Sequence, residues 1–288
     1  MPDLSPLYAL VSHLLPFSFM EARFMQQAML GLLLLAPMCA AMGVQIVNFR
    51  MAFFSDAVSH SAFTGVALGL ILGVSARFTM MGFGVCVGVL IIAVGRRSLL
   101  SQDAVIGVFF SAAIAFGLAI VSRDRQAARD VSRFLYGDIL TIGDAEIWCL
   151  AALFVILMAF QVLAYNRMLY MGINRSLASA HRVRVPLYQY VFAALVSIVV
   201  MFSVWAVGVF LVTALLIVPA AAGRNLARSA GGMFWWAIAI GAVSAVSGVI
   251  LSAQPWAGTA TGATVVLSAC ALFAASLVPA SLRKRHAR

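Results

Sequence analysis

The sequence predicts an all-α fold, a polytopic transmembrane bundle of about eight or nine spanning helices, from three observations. Of 288 residues, 64% are hydrophobic and only 10% are charged, with a mean hydropathy of +1.06. A soluble domain carries roughly a quarter charged residues to cover its surface. The apolar residues come in long blocks: Met29–Val47, Val105–Val121, Ile147–Tyr165, Val191–Val212 and Met233–Ala253 hold almost no ionised side chains. About 20 residues at 1.5 Å each cross a hydrocarbon core of about 30 Å, so each block is long enough to span. Finally, the blocks lack the period-two alternation of a membrane barrel, and only helices or closed barrels satisfy the backbone in lipid.

Taken in order, the first spanning helix is expected at Phe24–Val47, around the block Met29–Val47. Helices follow at Arg50–Gly73, at Thr79–Gly95 ahead of the pair Arg96-Arg97, and at Gln102–Val121. The block Ile147–Tyr165 gives a helix over Gly143–Tyr165. The long stretch Val191–Val212 is divided into Pro186–Ser203 and Val204–Ala222, and Gly232–Ala253 and Gly262–Pro279 complete the set. The chain reads as one domain over 1–288, with a short N-terminal segment at 1–23, expected to be amphipathic and to lie at the membrane surface, and a basic tail at 280–288. MPDLSPLYAL carries an acid and no basic cluster, unlike a cleavable secretory signal. Cys39, Cys86, Cys149 and Cys270 are scattered singly through apolar runs and fit neither a zinc spacing nor a disulfide framework.

The net charge of +10 would suggest nucleic acid in a soluble protein; here arginines in cytoplasmic loops orient the helices, and no nucleic-acid partner is expected. With the C-terminus inside, thirteen basic residues lie in the cytoplasm against six outside (Arg23, Arg77, Arg123, Arg125, Arg129, Arg133), as the positive-inside rule requires. An odd number of helices then places the N-terminus outside. The outer loop Ser122–Thr141 opposes the rule with four arginines, partly balanced by Asp124, Asp130 and Asp138.

Most of the nine acidic residues fall in loops, but Asp56 lies inside an expected helix. His60 follows four residues on and Thr64 four further, with Ser59 beside them, so Asp56, His60 and Thr64 share one face of an otherwise apolar rod. A helix starting at Arg50 puts Asp56 and His60 about 9 and 15 Å from that end, with His60 near the midplane. Ionisable groups at that depth are costly and face a bundle interior or a water path. Either His60 donates to Asp56 and the pair holds helices together, or carboxylate oxygen and imidazole nitrogen are two ligands for a passing cation. Two ligands are too few for a tight site, so a second copy or another stretch of chain would supply more.

The sequence excludes several enzymes. A P-loop needs Gly-Lys-Ser/Thr, and the only lysine is Lys284 in the tail. There is no H-E-x-x-H, Glu21 and Glu146 are the only glutamates, and no nucleophile elbow is present. In Gly208-VFLVTALLIV-Pro219-AAA-Gly223-Arg224-NLA-Arg228 an apolar helix meets a proline, a run of small residues and two arginines four apart. Pro219 and Gly223 are expected to break the helix there, and the small residues to let another element approach; the bland alternative is a helix end with snorkelling arginines. Phe134-LYGDI-Leu140 reads as a turn between apolar anchors.

Together these stretches resemble the permease family of zinc, manganese and iron ABC transporters. The resemblance rests on RMAFFSDAVSHSAFTGVALG at Arg50–Gly69, FLYGDIL at Phe134–Leu140, VGVFLVTALLIVPAAA at Val207–Ala222 and TGATVVL at Thr261–Leu267, in order across Phe24–Leu277. It implies a multi-pass protein of the bacterial inner membrane, a homodimer of permeases, a pair of cytoplasmic ATPase subunits, and an extracytoplasmic metal-binding protein that delivers the ion. The cargo is then a divalent metal, with no tightly bound cofactor and no hydrolase activity in this chain. The resemblance gives Asp56 and His60 a metal-path role, with Ser59 and Thr64 as path-lining candidates. It gives Pro219, Gly223, Arg224 and Arg228 an ATPase-coupling role. The chain departs from the family at 172–184, where relatives carry an acidic, proline-containing loop and this one reads Gly172-INRSLASA-His181. Rival expectations are a permease for a metal chelate, which would need a wide cavity without convergent ligands, and an ion-coupled secondary carrier, which would show inverted repeats and several intramembrane charges. Asp with His suits Zn²⁺, Mn²⁺ and Fe²⁺ alike.

Overall fold

A computed structural model describes residues 4–14, 17–122, 140, 142–254 and 258–286. Among them the chain forms α1 (Ser5–Leu14), a 3-10 turn (Ser18–Glu21), α2 (Arg23–Asn48), α3 (Phe54–Leu72), α4 (Ala76–Arg97), α5 (Gln102–Val121), α6 (Asp144–Ile173), α7 (Arg175–Ala180), α8 (Val185–Val207), α9 (Val209–Leu226), α10 (Ala230–Ser252) and α11 (Thr261–His286). Nine of these helices are long and apolar enough to cross a membrane, and no strand occurs among the described residues. The all-α bundle is therefore observed, and the nine candidate spans among the described residues agree with the expected eight or nine.

Several boundaries differ from the expected ones, among them those of α3, α8 and α6. α3 begins at Phe54, four residues later than expected, because α2 ends in a Schellman turn: Met51 N–H donates to the Ile46 carbonyl at 3.0 Å and Arg50 N–H to the Val47 carbonyl at 3.2 Å, with Arg50 left-handed at φ 56°. Glycine is the usual residue at that position, so an arginine there gave no stop signal. The division of the Val191–Val212 block falls at Gly208, not at Ser203. Gly208 adopts φ 90°, ψ 164°, a conformation closed to side-chain-bearing residues, while its N–H still bonds the Val204 carbonyl at 3.0 Å. α6 runs on to Ile173, past the end of the apolar block at Tyr165.

The chain divides into two compact units. One comprises Met1–Val44, Asp138–Ala159 and Ala214–Arg288; the other comprises Gln45–Gly137 and Phe160–Thr213. α2, α6 and α9 each contribute residues to both.

In the second unit α3 packs chiefly against α4 and α5, and further against α8. Small residues set the separation. A Cβ on Gly65 would lie 2.5 Å from the Met80 Cα of α4, and one on Gly88 of α4 would collide with the Ser197 hydroxyl of α8 and reach Phe54 at 3.2 Å. α3 consequently buries Phe54, Ser55, Ser59 and Thr64. In the first unit, α10 packs along α11, where Gly248 admits the Val265 backbone. There too Asp144, the first residue of α6, accepts hydrogen bonds from Tyr8 Oη (2.5 Å), Arg23 Nη2 (2.8 Å) and Gln27 Nε2 (2.8 Å). In the N-terminal segment Leu4, Tyr8 and Val11 are buried while Leu7 and Leu10 are exposed, so apolar side chains lie on its covered and uncovered sides alike.

Candidate metal-ion path on helix α3

Because α3 starts at Phe54, Asp56 stands in its first turn and His60 one turn deeper on the same face. At 1.5 Å per residue they lie about 3 and 9 Å from the helix start, in a rod about 28 Å long. The expected depths of 9 and 15 Å are thus corrected: Asp56 is near the end of the helix and His60 about a third of the way along. A carboxylate in a first turn also meets the positive end of the helix dipole, which offsets part of the cost of placing it there.

Both side chains are half-buried. The Thr213 side chain of α9, whose hydroxyl donates to the Phe210 carbonyl of its own helix at 3.4 Å, lies near the Asp56 carboxylate. The His60 ring meets Phe110 of α5 edge to face, with centroids 5.2 Å apart and planes at 86°. His60 is therefore in contact with a neighbouring helix, α5. Thr213 was not singled out by the sequence reading, although it is the only hydroxyl in the apolar run Val207–Val218.

The two path-lining candidates sit differently. Ser59 is fully buried and donates to the Asp56 carbonyl at 3.0 Å, within its own helix. Thr64 is fully buried and donates across to the Ala113 carbonyl of α5 at 2.5 Å, a tie between helices at a point where Gly117 also lets α5 approach. Both hydroxyls are spent on backbone, and neither is turned toward the half-exposed pair.

Chemically, the stripe offers a cation one anionic oxygen ligand, one imidazole nitrogen and a nearby hydroxyl. That set suits borderline divalent ions better than soft monovalent ones. No cluster of three or more His, Cys, Asp or Glu able to hold a metal occurs among the described residues. Among the described residues, Asp56 and His60 could supply two ligands to a cation.

The expected helix break at Pro219 and Gly223 needs correction. α9 continues unbroken through Pro219 to Leu226, so neither Pro219 nor Gly223 ends it. Gly223 is buried, and a Cβ there would lie 2.9 Å from both the Met233 carbonyl oxygen and the Ala237 nitrogen of α10. Its smallness serves a helix crossing. Arg224 and Arg228 are exposed. In the basic stretch 172–184, α7 is followed by a second Schellman turn on an arginine, Arg182 at φ 56°, and Arg182 and Arg184 are exposed. The Phe134–Leu140 motif lies outside the described residues except for Leu140.

The model of the ABC 3 transport family matches residues 21–280, nearly the whole chain. The chain belongs to that family. It is 27% identical over 269 residues to the manganese import system permease protein ScaB of Streptococcus parasanguinis, covering 93% of this chain and 95% of the relative. It is 28% identical over 250 residues to the high-affinity zinc uptake system membrane protein ZnuB of Haemophilus influenzae, covering 87% and 95%. Among solved structures it resembles PsaBC of Streptococcus pneumoniae, determined in complex with Fab, at a TM-score of 0.75 and 26% identity, over 88% of this chain and 91% of that one. A metal-chelate type ABC transporter in an inward-facing conformation shares the fold, with a TM-score of 0.70 at 16% identity, over 88% and 85%. This ABC 3 family member is a multi-pass bacterial membrane protein.

Proposed function

We propose that this chain is the membrane-spanning permease subunit of an ATP-driven importer for a divalent transition metal, manganese or zinc first among them, and that the α3 stripe is part of the translocation path. The observation carrying the reading is the pair Asp56 and His60: two ligand-type side chains one turn apart, half-exposed, on a helix with no other ionisable side chain. The relatives named as manganese and zinc permeases support the same ions. The metal is cargo, and no tightly bound cofactor is part of the proposal.

A second copy of this chain supplies the remaining ligands, in a homodimer whose two α3 stripes share the path. ATP is hydrolysed by separate cytoplasmic subunits, since this chain has one lysine, Lys284, and no phosphate-binding loop around it. An extracytoplasmic metal-binding protein delivers the ion. Arg224 and Arg228, exposed at the end of α9, contact the ATPase, with Gly223 and Pro219 setting the helix that carries them. Residues 1–288 act as one permease domain, a reading supported by the three helices that thread both compact units.

Equilibrium dialysis of the detergent-solubilised full chain against Mn²⁺ or Zn²⁺ tests the assignment. Asp56→Asn and His60→Ala each weaken binding more than tenfold while the protein stays monodisperse. Unchanged affinity in both variants removes the stripe from the path.

A further inference from the structure

We infer that the basic end of α4 holds an anionic phospholipid, with its phosphate on Arg97 and one acyl chain in the groove that runs from Arg97 back to Leu90. The inference is independent of the reading of α3 as a metal path.

The groove, a cavity of about 440 Å³, is lined by Leu90, Ala93, Val94, Arg97 and Ser98. Those positions are spaced i, i+3, i+4, i+7 and i+8, so they form one face of α4. From Leu90 to Arg97 that face covers about 10 Å at 1.5 Å per residue. Leu90 and Val94 are exposed, in a helix long and apolar enough to cross a membrane. Charge stands at one end only. Arg97 is exposed and, among the described residues, has no hydrogen bond, ion pair or ring contact. Its neighbour Arg96 is engaged, donating to Gln189 Oε1 at 3.0 Å and standing over the Tyr190 ring of α8. Those contacts bring the start of α8 to the same end, where Arg182 and Arg184 are exposed, and Arg167 of α6 joins it by donating to Tyr188 Oη. Asp103, in the first turn of α5, is the one acid among the described residues of these helix ends. Arginines beside tyrosines belong at the headgroup level of a bilayer, and Leu99 and Leu100, exposed just beyond Arg97, extend apolar surface there. A phosphate complements this charge, as anionic headgroups do at basic membrane-facing patches. A soluble partner can reach the arginines but not a groove that continues about 10 Å into hydrocarbon. A second copy meeting this face about a two-fold axis would set arginine against arginine.

The test offers the purified full chain equal amounts of phosphatidylglycerol and phosphatidylcholine with the same acyl chains, in mixed micelles, and counts retained lipid by native mass spectrometry. The wild-type chain retains phosphatidylglycerol in preference, and inorganic phosphate at the same concentration does not displace it. Arg97→Gln lowers the preference about fivefold, the effect of one basic residue beside an anionic surface, and Arg97→Lys keeps it. Ala93→Phe, which fills the groove and leaves the charge, also lowers retention of phosphatidylglycerol. Equal retention of the two lipids by wild type overturns the inference, as does an unchanged preference in Arg97→Gln. Displacement by inorganic phosphate assigns Arg97 to a free anion, and a smaller assembly for Ala93→Phe by light scattering assigns the groove to a second copy; either result overturns it. So does a loss of both lipids together in Arg97→Gln that lysine does not repair, because that pattern belongs to packing.

Discussion

Asp56, His60 and Thr64 share one face of α3, yet only the first two are half-exposed, and the third spends its hydroxyl on the Ala113 carbonyl. That difference yields a prediction. Thr64→Val removes an interhelical hydrogen bond, which in a membrane averages about 0.6 kcal/mol and reaches about 1.7. Melting temperature falls slightly while KM for metal uptake is unchanged; a rise in KM with no thermal effect would return Thr64 to the path. The shared face was legible in the sequence because the i, i+4 spacing holds wherever the helix starts. Depth was not, since it depends on the start, and the α2 stop is an arginine in a left-handed conformation. Thr213 was illegible for another reason. A threonine in an apolar helix ordinarily bonds a carbonyl of its own preceding turn, as Thr213 does with Phe210, and nothing local reveals that it also lies near Asp56.

At the level of elements, close approach explains more than polarity does. Gly223 lies against the backbone of α10, so Gly223→Val drives a side chain into Met233 and Ala237 that cannot move away without displacing a helix. Folded yield after solubilisation falls sharply, by fluorescence-detected size exclusion; normal yield with uncoupled transport would instead favour a direct coupling role for this residue. The coupling proposal is better tested at exposed positions. Arg224→Ala with Arg228→Ala leaves yield intact and lowers both uptake and the amount of ATPase that co-purifies; normal values of both would reject the contact. Small residues around Pro219 were visible in the sequence as a place of close approach. The sequence did not say whether a neighbouring helix or a partner subunit comes close. The expectation of a helix break failed because a proline inside a spanning helix is tolerated when neighbouring helices satisfy the freed backbone groups. The Gly208 break went unseen because the apolar block continues through it and periodicity alone cannot mark an end.

For the whole molecule, composition and block length were enough to fix a helical membrane bundle, whereas the long-range ties were hidden. Asp144 joins Tyr8, Arg23 and Gln27 across more than a hundred residues. Burial first, and then the hydrogen bond to Asp144, push the Tyr8 hydroxyl up from 10.0 to about 12. A group whose pKa is raised by folding favours the folded state fully below its unfolded value and loses that effect as pH rises through the folded value. The α1 attachment is therefore constant to about pH 10 and weakens between about 10 and 12. Tyr8→Phe removes that alkaline step from the melting-temperature profile; an unaltered step would place its origin elsewhere. The central claim is that a divalent metal passes Asp56 and His60. Its most direct test is radioactive Mn²⁺ and Zn²⁺ uptake by cells carrying Asp56→Asn or His60→Ala, with melting temperatures measured on the same preparations. The account predicts that uptake collapses in both while the melting temperature holds, because each replacement makes α3 more compatible with lipid. Lower melting temperatures with uptake per folded molecule retained would contradict it and leave the pair as a tie between helices.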